Sequence, residues 1–141
     1  MKILILCTGN SCRSQMAEGF LKSFNSKLQV FSAGTNPTKA VSSNAIKVMS
    51  EIGIDISSGK PEDVSEYLNQ EFDYVITVCD NAKETCPAFL GKVGKTIHIG
   101  FDDPADAVGT DEEIIAVFRR VRDEIKTDFL TFYNSLNFKS E

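Results

Sequence analysis

The chain has 141 residues, 42% of them hydrophobic, and a formal net charge of −5 at pH 7. This length is typical of one globular domain that buries about two-thirds of its unfolded surface, so we expect a single domain over residues 1–141. The negative charge argues against a nucleic-acid partner or a membrane-surface role, because no basic patch would attract a polyanion. The N-terminal apolar run is too short for a signal-peptide core, and no other run would span a bilayer, so we expect a cytoplasmic protein.

Strand and helix patterns alternate along the whole chain. Apolar or β-branched runs predict strands at residues 3–6, 28–33, 74–78 and 96–99. Apolar residues at helical spacing predict helices from Met16 to about Asn25, over 45–52 with Gly53 as C-terminal cap, over 62–68, and from Thr110 onward. Residues 54–57 are predicted to be extended, and 80–94 to form an irregular, mobile excursion. The alternation predicts an α/β fold, a three-layer, doubly wound, mainly parallel sheet of about four strands with helices on both faces.

The last helix has the clearest local signals. Thr110 and Glu113 have the spacing of a capping box at its N-terminus. The apolar stripe that we expect to be buried consists of Ile114, Phe118, Val121, Ile125, Phe129 and Phe132.

The segment Cys7–Ser14 joins the first predicted strand to the first predicted helix. A helix N-terminus attracts anions, because its first N–H groups lack intrahelical partners and the helix dipole is positive there. Gly9 and Asn10 are the residue types that most easily take a positive φ, which would let successive N–H groups point inward as an anion-binding nest. The predicted oxyanion-binding residues are Thr8, Gly9, Asn10, Ser11, Cys12 and Arg13.

Cys7 and Arg13 frame this loop. A thiol beside inward-pointing amides and a guanidinium should ionise well below the pKa of about 8.5 of an ordinary cysteine, which would make Cys7 a nucleophile. Arg13 offers a planar fork for two oxygens of a tetrahedral oxyanion, and Ser14 can donate its hydroxyl to the Cys7 sulfur. The alternative is a buried cysteine followed by an ordinary surface arginine. Cys12 is interpreted as a packing residue within the loop.

A carboxylic acid follows the last predicted strand. Attack by a thiolate on an oxyanion expels an oxygen, and an acid that protonates this oxygen speeds its departure. Asp102 and Asp103 are both candidates, and Asp103-Pro104 is also a common turn signal. Two further cysteines, Cys79 and Cys86, follow the third strand; in a reducing compartment they are catalytic, redox-active or simply buried. A zinc site is not expected, and the single His98 is interpreted as a strand residue.

Cys-x5-Arg-Ser after an N-terminal strand resembles the phosphate-binding loop of the low-molecular-weight protein tyrosine phosphatase fold. The run Cys-Thr-Gly-Asn-Ser-Cys-Arg-Ser-Gln-Met-Ala-Glu-Gly resembles its thioredoxin-coupled arsenate reductase branch. In this family the acid directly precedes proline, which favours Asp103 over Asp102. The resemblance extends over nearly the whole chain, from Ile3 to the region 119–126.

The resemblance implies a relay of three thiols. Arsenate would bond to Cys7, Cys79 would attack that sulfur to release arsenite, and Cys86 would then attack Cys79 and carry the disulfide to a position where thioredoxin reduces it. Six residues separate Cys79 from Cys86, which matches the family spacing. The implied partners are thioredoxin and arsenate, with phosphate or sulfate as competing oxyanions, and no tightly bound cofactor. We expect a monomer.

Two other functions remain open. A phosphatase of the same fold would need only Cys7, Arg13 and Asp103, although that branch usually has proline where this chain has Gln15 and an aromatic residue where it has Ala105. The other is a phosphocysteine carrier, similar to those of sugar-transport systems; such carriers generally lack the loop arginine, so Arg13 counts against this function. Some family members also hold a potassium ion, and the residues that match by position are Asn10, Glu18, Ser32 and Glu62.

Overall fold

The computed structural model describes residues 1–80 and 88–136. The strands are β1 (Lys2–Cys7), β2 (Gln29–Gly34), β3 (Glu71–Thr77) and β4 (Lys92–His98). The α-helices are α1 (Arg13–Phe24), α2 (Ser43–Ser50) and α3 (Asp111–Ser135), and two short 3-10 helices span Val64–Tyr67 and Pro104–Asp106.

The four strands form one sheet in the order β2-β1-β3-β4, and every neighbouring pair is parallel. The register places Cys7 beside Gly34, and Thr77 beside both Leu6 and His98. The carboxyl ends of all four strands therefore lie at one edge, where open α/β sheets place their working groups. The predicted fold class is confirmed.

Apolar side chains cover both faces of the sheet. On one face, Ile3, Ile5 and Ile76 pack with the buried residues of α1, α2 and α3. On the other face, Leu4, Leu6 and Val75 pack with the 3-10 helix Val64–Tyr67 and with aromatic neighbours. Burial on both faces explains why β1 is a continuous apolar run.

The prediction for residues 80–94 is wrong at its C-terminal end, because β4 already begins at Lys92. Among the described strands this one pairs only with β3, at the edge of the sheet, and most of its side chains are exposed. An exposed edge strand needs no apolar pattern, so the sequence gives little signal for it. Residues 81–87 lie outside the described part of the chain. For a similar reason β3 begins at Glu71, before the predicted Tyr74, since Glu71 and Asp73 face solvent.

Three helix details also differ from the predictions. Helix α2 ends at Ser50, and Ile52, predicted on its buried face, is 37% exposed. Gly53 follows with a φ of 81°, the left-handed conformation expected of a residue that ends a helix. In α3, Ile115 is buried whereas the predicted Ile114 is only partly buried. Residues 54–57 form no strand, and the helix predicted over 62–68 is the shorter 3-10 turn.

Candidate active site

The loop between β1 and α1 turns its peptide carbonyls outward. Segment 36–42 donates three backbone hydrogen bonds to them, from Asn36 to Thr8 at 3.0 Å, from Thr38 to Gly9 at 3.0 Å and from Ser42 to Ser11 at 2.9 Å. In a planar trans peptide the carbonyl and the next N–H point in opposite directions. The N–H groups that follow these carbonyls, those of Gly9, Asn10 and Cys12, therefore point toward the inside of the loop, as an anion-binding nest requires.

Asn10 is the conformational centre of the loop. It is completely buried, and it is the one non-glycine residue with positive φ, 51°, over residues 1–80 and 88–136. Its Nδ2 donates to Ser14 Oγ at 2.8 Å, and its Oδ1 accepts from the Glu62 N–H at 2.9 Å. The Ser14 hydroxyl thus accepts from Asn10, a contact that the sequence analysis did not predict.

Gly9 does not have the positive φ that was predicted for it, since among the described glycines this conformation occurs at Gly53 and Gly109. Its lack of a side chain instead leaves room for the neighbouring segment, because an added Cβ would lie 3.3 Å from Thr38 Cγ2. The requirement for glycine is stricter at position 34 than at position 9. A Cβ there would come 2.3 Å from the Thr8 carbonyl oxygen, so the end of β2 can approach the loop only as glycine.

Cys7, Arg13 and Asp103 line one cleft of about 390 Å³. Cys7 is the last residue of β1 and Arg13 the first of α1, and both are 3% exposed. The Arg13 guanidinium donates from Nη1 to the Phe101 carbonyl at 3.1 Å and pairs through Nη2 with Asp103 Oδ2 at 3.3 Å. A thiol, a fixed cation and a carboxyl group thus face the same small volume, although they come from distant parts of the sequence.

Asp102 and Asp103 face different parts of the molecule. The Asp103 side chain, 27% exposed, lies in the cleft and accepts a hydrogen bond from the Ala105 N–H at 3.0 Å. Asp102 is 50% exposed and pairs with Arg120 of α3 at 3.1 Å, outside this cleft. The geometry therefore favours Asp103 as the acid.

The cysteines differ in their surroundings. Cys79 comes two residues after β3, at the same sheet edge as Cys7, and is buried and disulfide-bonded. Neither Cys7 nor Cys12 is in a disulfide. Burial raises the pKa of the Cys12 thiol to about 11, so Cys12 stays protonated near neutral pH. Cys86 lies outside the described residues.

The cleft is also lined by Asn36, Thr38 and Asp106, which were not predicted from the sequence. The first two follow β2 in the turn-forming run Gly-Thr-Asn-Pro-Thr. Because parallel strands end at a common edge, this run was a detectable neighbour of the loop. Asp106 lies in the 3-10 helix that follows Asp103.

The residues suggested for potassium already have partners. Glu18 accepts from Ser32 Oγ through one oxygen and pairs with the Lys22 ammonium through the other, both at 2.6 Å. Among the residues that the structure describes, no group of three or more His, Cys, Asp or Glu side chains could hold a metal ion. The Lys22 ammonium therefore already supplies a positive charge beside Glu18, one of the residues that match the potassium site by position.

His98 ends β4, as predicted for a strand residue, and its Nδ1 lies 2.7 Å from Thr77 Oγ1. Within the described ranges, no helix has the length and apolar character needed to cross a membrane.

The chain belongs to the low molecular weight phosphotyrosine protein phosphatase family, whose model matches residues 2–141. Within this family it is similar to arsenate reductases. The arsenate reductase of Halalkalibacterium halodurans is 51% identical over 131 residues, which cover 92% of this chain and 93% of that protein. The arsenate reductase of Bacillus subtilis is 48% identical over 124 residues, which cover 87% and 88%. A solved arsenate reductase in the phosphate binding state superposes with a TM-score of 0.74 at 30% identity, covering 95% of this chain and 97% of the other.

Proposed function

We propose that this protein reduces arsenate to arsenite through a thiol–disulfide relay that begins at Cys7. The observation that carries the proposal is the shared cleft, in which Cys7, Arg13 and Asp103 meet at a loop of inward-pointing N–H groups. The similarity to arsenate reductases supports the choice of substrate.

The first step is substitution at arsenic. The Cys7 thiolate attacks arsenate, a sulfur–arsenic bond forms, and one hydroxyl group of arsenate leaves as water after taking a proton from Asp103. Arsenic remains pentavalent in this intermediate. Arg13 and the loop N–H groups stabilise the negative charge on the remaining oxygens.

The second step is the reduction. The Cys79 thiolate attacks the Cys7 sulfur, a Cys7–Cys79 disulfide forms, and the electron pair of the sulfur–arsenic bond stays with arsenic. Arsenic leaves as trivalent arsenite, and the two thiols supply both electrons. The position of Cys79 two residues beyond β3, at the same sheet edge as Cys7, supports this role.

The third step regenerates Cys7. The Cys86 thiolate attacks Cys79, Cys7 leaves as a thiolate, and reduced thioredoxin then reduces the remaining disulfide. The disulfide state of Cys79 supports a redox role for this residue. The parts of Cys86 and of thioredoxin rest on the sequence resemblance. We further propose that the protein acts as a monomer in the cytoplasm.

The relay is tested by following NADPH consumption with thioredoxin, thioredoxin reductase and arsenate. We expect Cys79→Ser and Cys86→Ser each to abolish arsenate-dependent turnover, because each removes one sulfur of the relay. Hydrolysis of a phosphomonoester, measured on the same samples, should survive both substitutions and require Cys7. Arsenate turnover that persists in either serine variant would contradict the relay.

Phosphomonoester hydrolysis is the second candidate function. Family membership favours it, and the shared cleft already holds the three groups that such a reaction needs. None of the residues that line the cleft in the described part of the chain is aromatic, so no aromatic wall is available for a phosphotyrosine ring. Hydrolysis without any arsenate-dependent NADPH consumption would make this the main function.

The Lys22–Glu18 pair predicts turnover that does not depend on potassium. Replacing KCl by NaCl at constant ionic strength should leave the rate of arsenate reduction unchanged, because Lys22 already supplies the positive charge at Glu18. In Lys22→Met this charge is missing, and potassium should then raise the rate. A native protein that is activated by potassium would contradict this interpretation.

A further inference from the structure

The fourth outward-facing carbonyl of the loop, that of Asn10, is held by a side chain. Gln15 Nε2 donates to it at 3.1 Å. The same amide nitrogen lies 3.2 Å from Asn10 Oδ1 and 3.2 Å from the Lys60 carbonyl. Three acceptor oxygens around one nitrogen fix which end of the carboxamide carries the hydrogens.

This contact controls a peptide plane of the nest. The Asn10 carbonyl and the Ser11 N–H belong to the same planar peptide, so holding the carbonyl outward keeps the Ser11 N–H directed inward. Asn10 is also the residue with φ of 51°, a conformation that the surrounding structure has to stabilise. The other three carbonyls of the loop are held by the backbone of segment 36–42.

Gln15 is itself locked in place. It is 4% exposed, on the first turn of α1, and segment 59–62 closes over it. A Cβ on Gly59 would lie 2.7 Å from Gln15 Oε1, so any side chain at position 59 would displace this carboxamide. The Glu62 N–H donates to Asn10 Oδ1 from the same side. The carboxamide therefore links segment 59–62 to the loop.

We propose that Gln15 is a positioning residue for oxyanion binding, which orients the Asn10–Ser11 peptide and aims the Ser11 N–H at the bound oxyanion. The inference deepens the proposed function, on which it rests for the identity of the oxyanion. It assigns to Gln15 no part in the transfer of sulfur, electrons or protons.

The test is the Kd of inorganic phosphate, measured by calorimetry on the full chain under reducing conditions. In Gln15→Met the side chain keeps its length and loses its donor, so two buried oxygens of Asn10 lose a partner and we expect phosphate binding to weaken about tenfold. Gln29→Met is the matched control, because Gln29 is exposed at the start of β2, at the opposite end of the strand from the loop. Its Kd should equal that of the native protein.

A second variant moves Gln15 without altering it. Gly59 does not have positive φ, so Gly59→Ala is allowed by the backbone, and its methyl group must displace the Gln15 carboxamide. We expect the Kd for phosphate to rise in this variant also. Gly59→Ala and Gln15→Met that both fold and both bind phosphate like the native protein would overturn the proposal.

The pH dependence of the Kd for phosphate in Gln15→Glu distinguishes a hydrogen-bond donor from a residue with a purely structural role. The introduced carboxylate faces three acceptor oxygens and has no hydrogen to donate, whereas its protonated form can donate one. The charged groups beside it line a second cleft, distinct from the one that holds Cys7; they are the carboxylates of Glu18, Asp55, Glu62 and Glu66 and the ammonium groups of Lys22 and Lys60. The ratio of variant to native Kd should therefore fall toward one as the pH is lowered to the range where the carboxyl group is protonated. A ratio that does not change with pH would count against a donor role.

Phosphate binding needs no thiol chemistry, so the two proposals can fail separately. Weakened phosphate binding in these variants, in a protein that does not reduce arsenate, would support the role of Gln15 and reject the arsenate reductase assignment. Unchanged phosphate binding with normal arsenate reduction would reject the role of Gln15 alone.

Discussion

Asp103 and Asp102 are adjacent in sequence but differ in surroundings, which makes them a matched pair for mutation. In Asp103→Asn the amide oxygen can still accept from the Ala105 N–H, so the 3-10 helix keeps its cap while the acid is lost. We expect kcat for arsenate reduction to fall by roughly 10²- to 10⁴-fold, the usual contribution of a general acid. Asp102→Asn, which removes only an exposed pair with Arg120, should leave kcat unchanged. Equal losses in the two variants would argue against Asp103 as the acid.

Cys12 makes stability depend on pH in the alkaline range. Its pKa is raised from 9.0 to about 11, mainly by burial, so the folded state keeps a proton that the unfolded state loses first. The stability contribution is complete below pH 9 and is lost as the pH rises toward 11, by about 2 to 3 kcal/mol.

The measurement for Cys12 is the free energy of unfolding in urea between pH 8 and pH 11, compared between the native chain and Cys12→Ala. The alanine variant has no thiol to ionise, so its stability should fall less steeply over this range. Parallel curves for the two proteins would show that another group causes the alkaline loss.

An arginine of α3, Arg122, joins this helix to the C-terminal end of α2. Arg122 Nη1 donates to the Val48 carbonyl and to Glu51 Oε1, both at 3.0 Å, and the residue is 9% exposed. The Val48 carbonyl is one of the last four of α2, which have no intrahelical partner. Arg122 therefore caps α2 from α3.

Arg122→Met should destabilise the protein by about 1 to 3 kcal/mol, because it leaves the Val48 carbonyl without this donor. Arg119→Met is the control, since Arg119 contacts the same Glu51 but is about half exposed (46%), and solvent screens its charge. The measurement is the free energy of unfolding of both variants in urea. A loss in Arg119→Met as large as that in Arg122→Met would show that the ion pair with Glu51, and not the cap, joins the helices.

Among the helices and strands, the sequence predictions were accurate where the residues of the element itself carry a strong pattern. The capping box of α3 is present in both directions, with the Thr110 hydroxyl accepting from the Glu113 N–H and the Glu113 carboxylate accepting from the Thr110 N–H. Such a box depends on residues three positions apart and can be predicted without the fold. Strand β4 was placed too late because its stability comes from pairing with β3, which leaves no apolar pattern in its own residues.

At the scale of the whole molecule, the fold and the family were predictable, and the comparisons confirm both the family and its arsenate reductase branch. The motif from Cys7 to Ser14 is contiguous, and the shared edge of a parallel sheet predicted that residues after β1, β3 and β4 would meet there. The walls of the cleft were not predictable in the same way. Segment 36–42 holds the loop through backbone N–H groups, which every residue type except proline can supply.

The inward orientation of the loop N–H groups has a cost in the absence of an anion. Several N–H dipoles and the Arg13 guanidinium converge on one small volume, and the Asp103 carboxylate, 3.3 Å from Arg13, offsets only part of their mutual repulsion. Phosphate has the same shape and charge as arsenate and relieves this repulsion without reacting further in the relay. An abundant inert oxyanion would therefore act as a resting ligand that stabilises the folded protein, and arsenate would have to displace it. The ion that protects the fold would then also be the ion that slows its reaction.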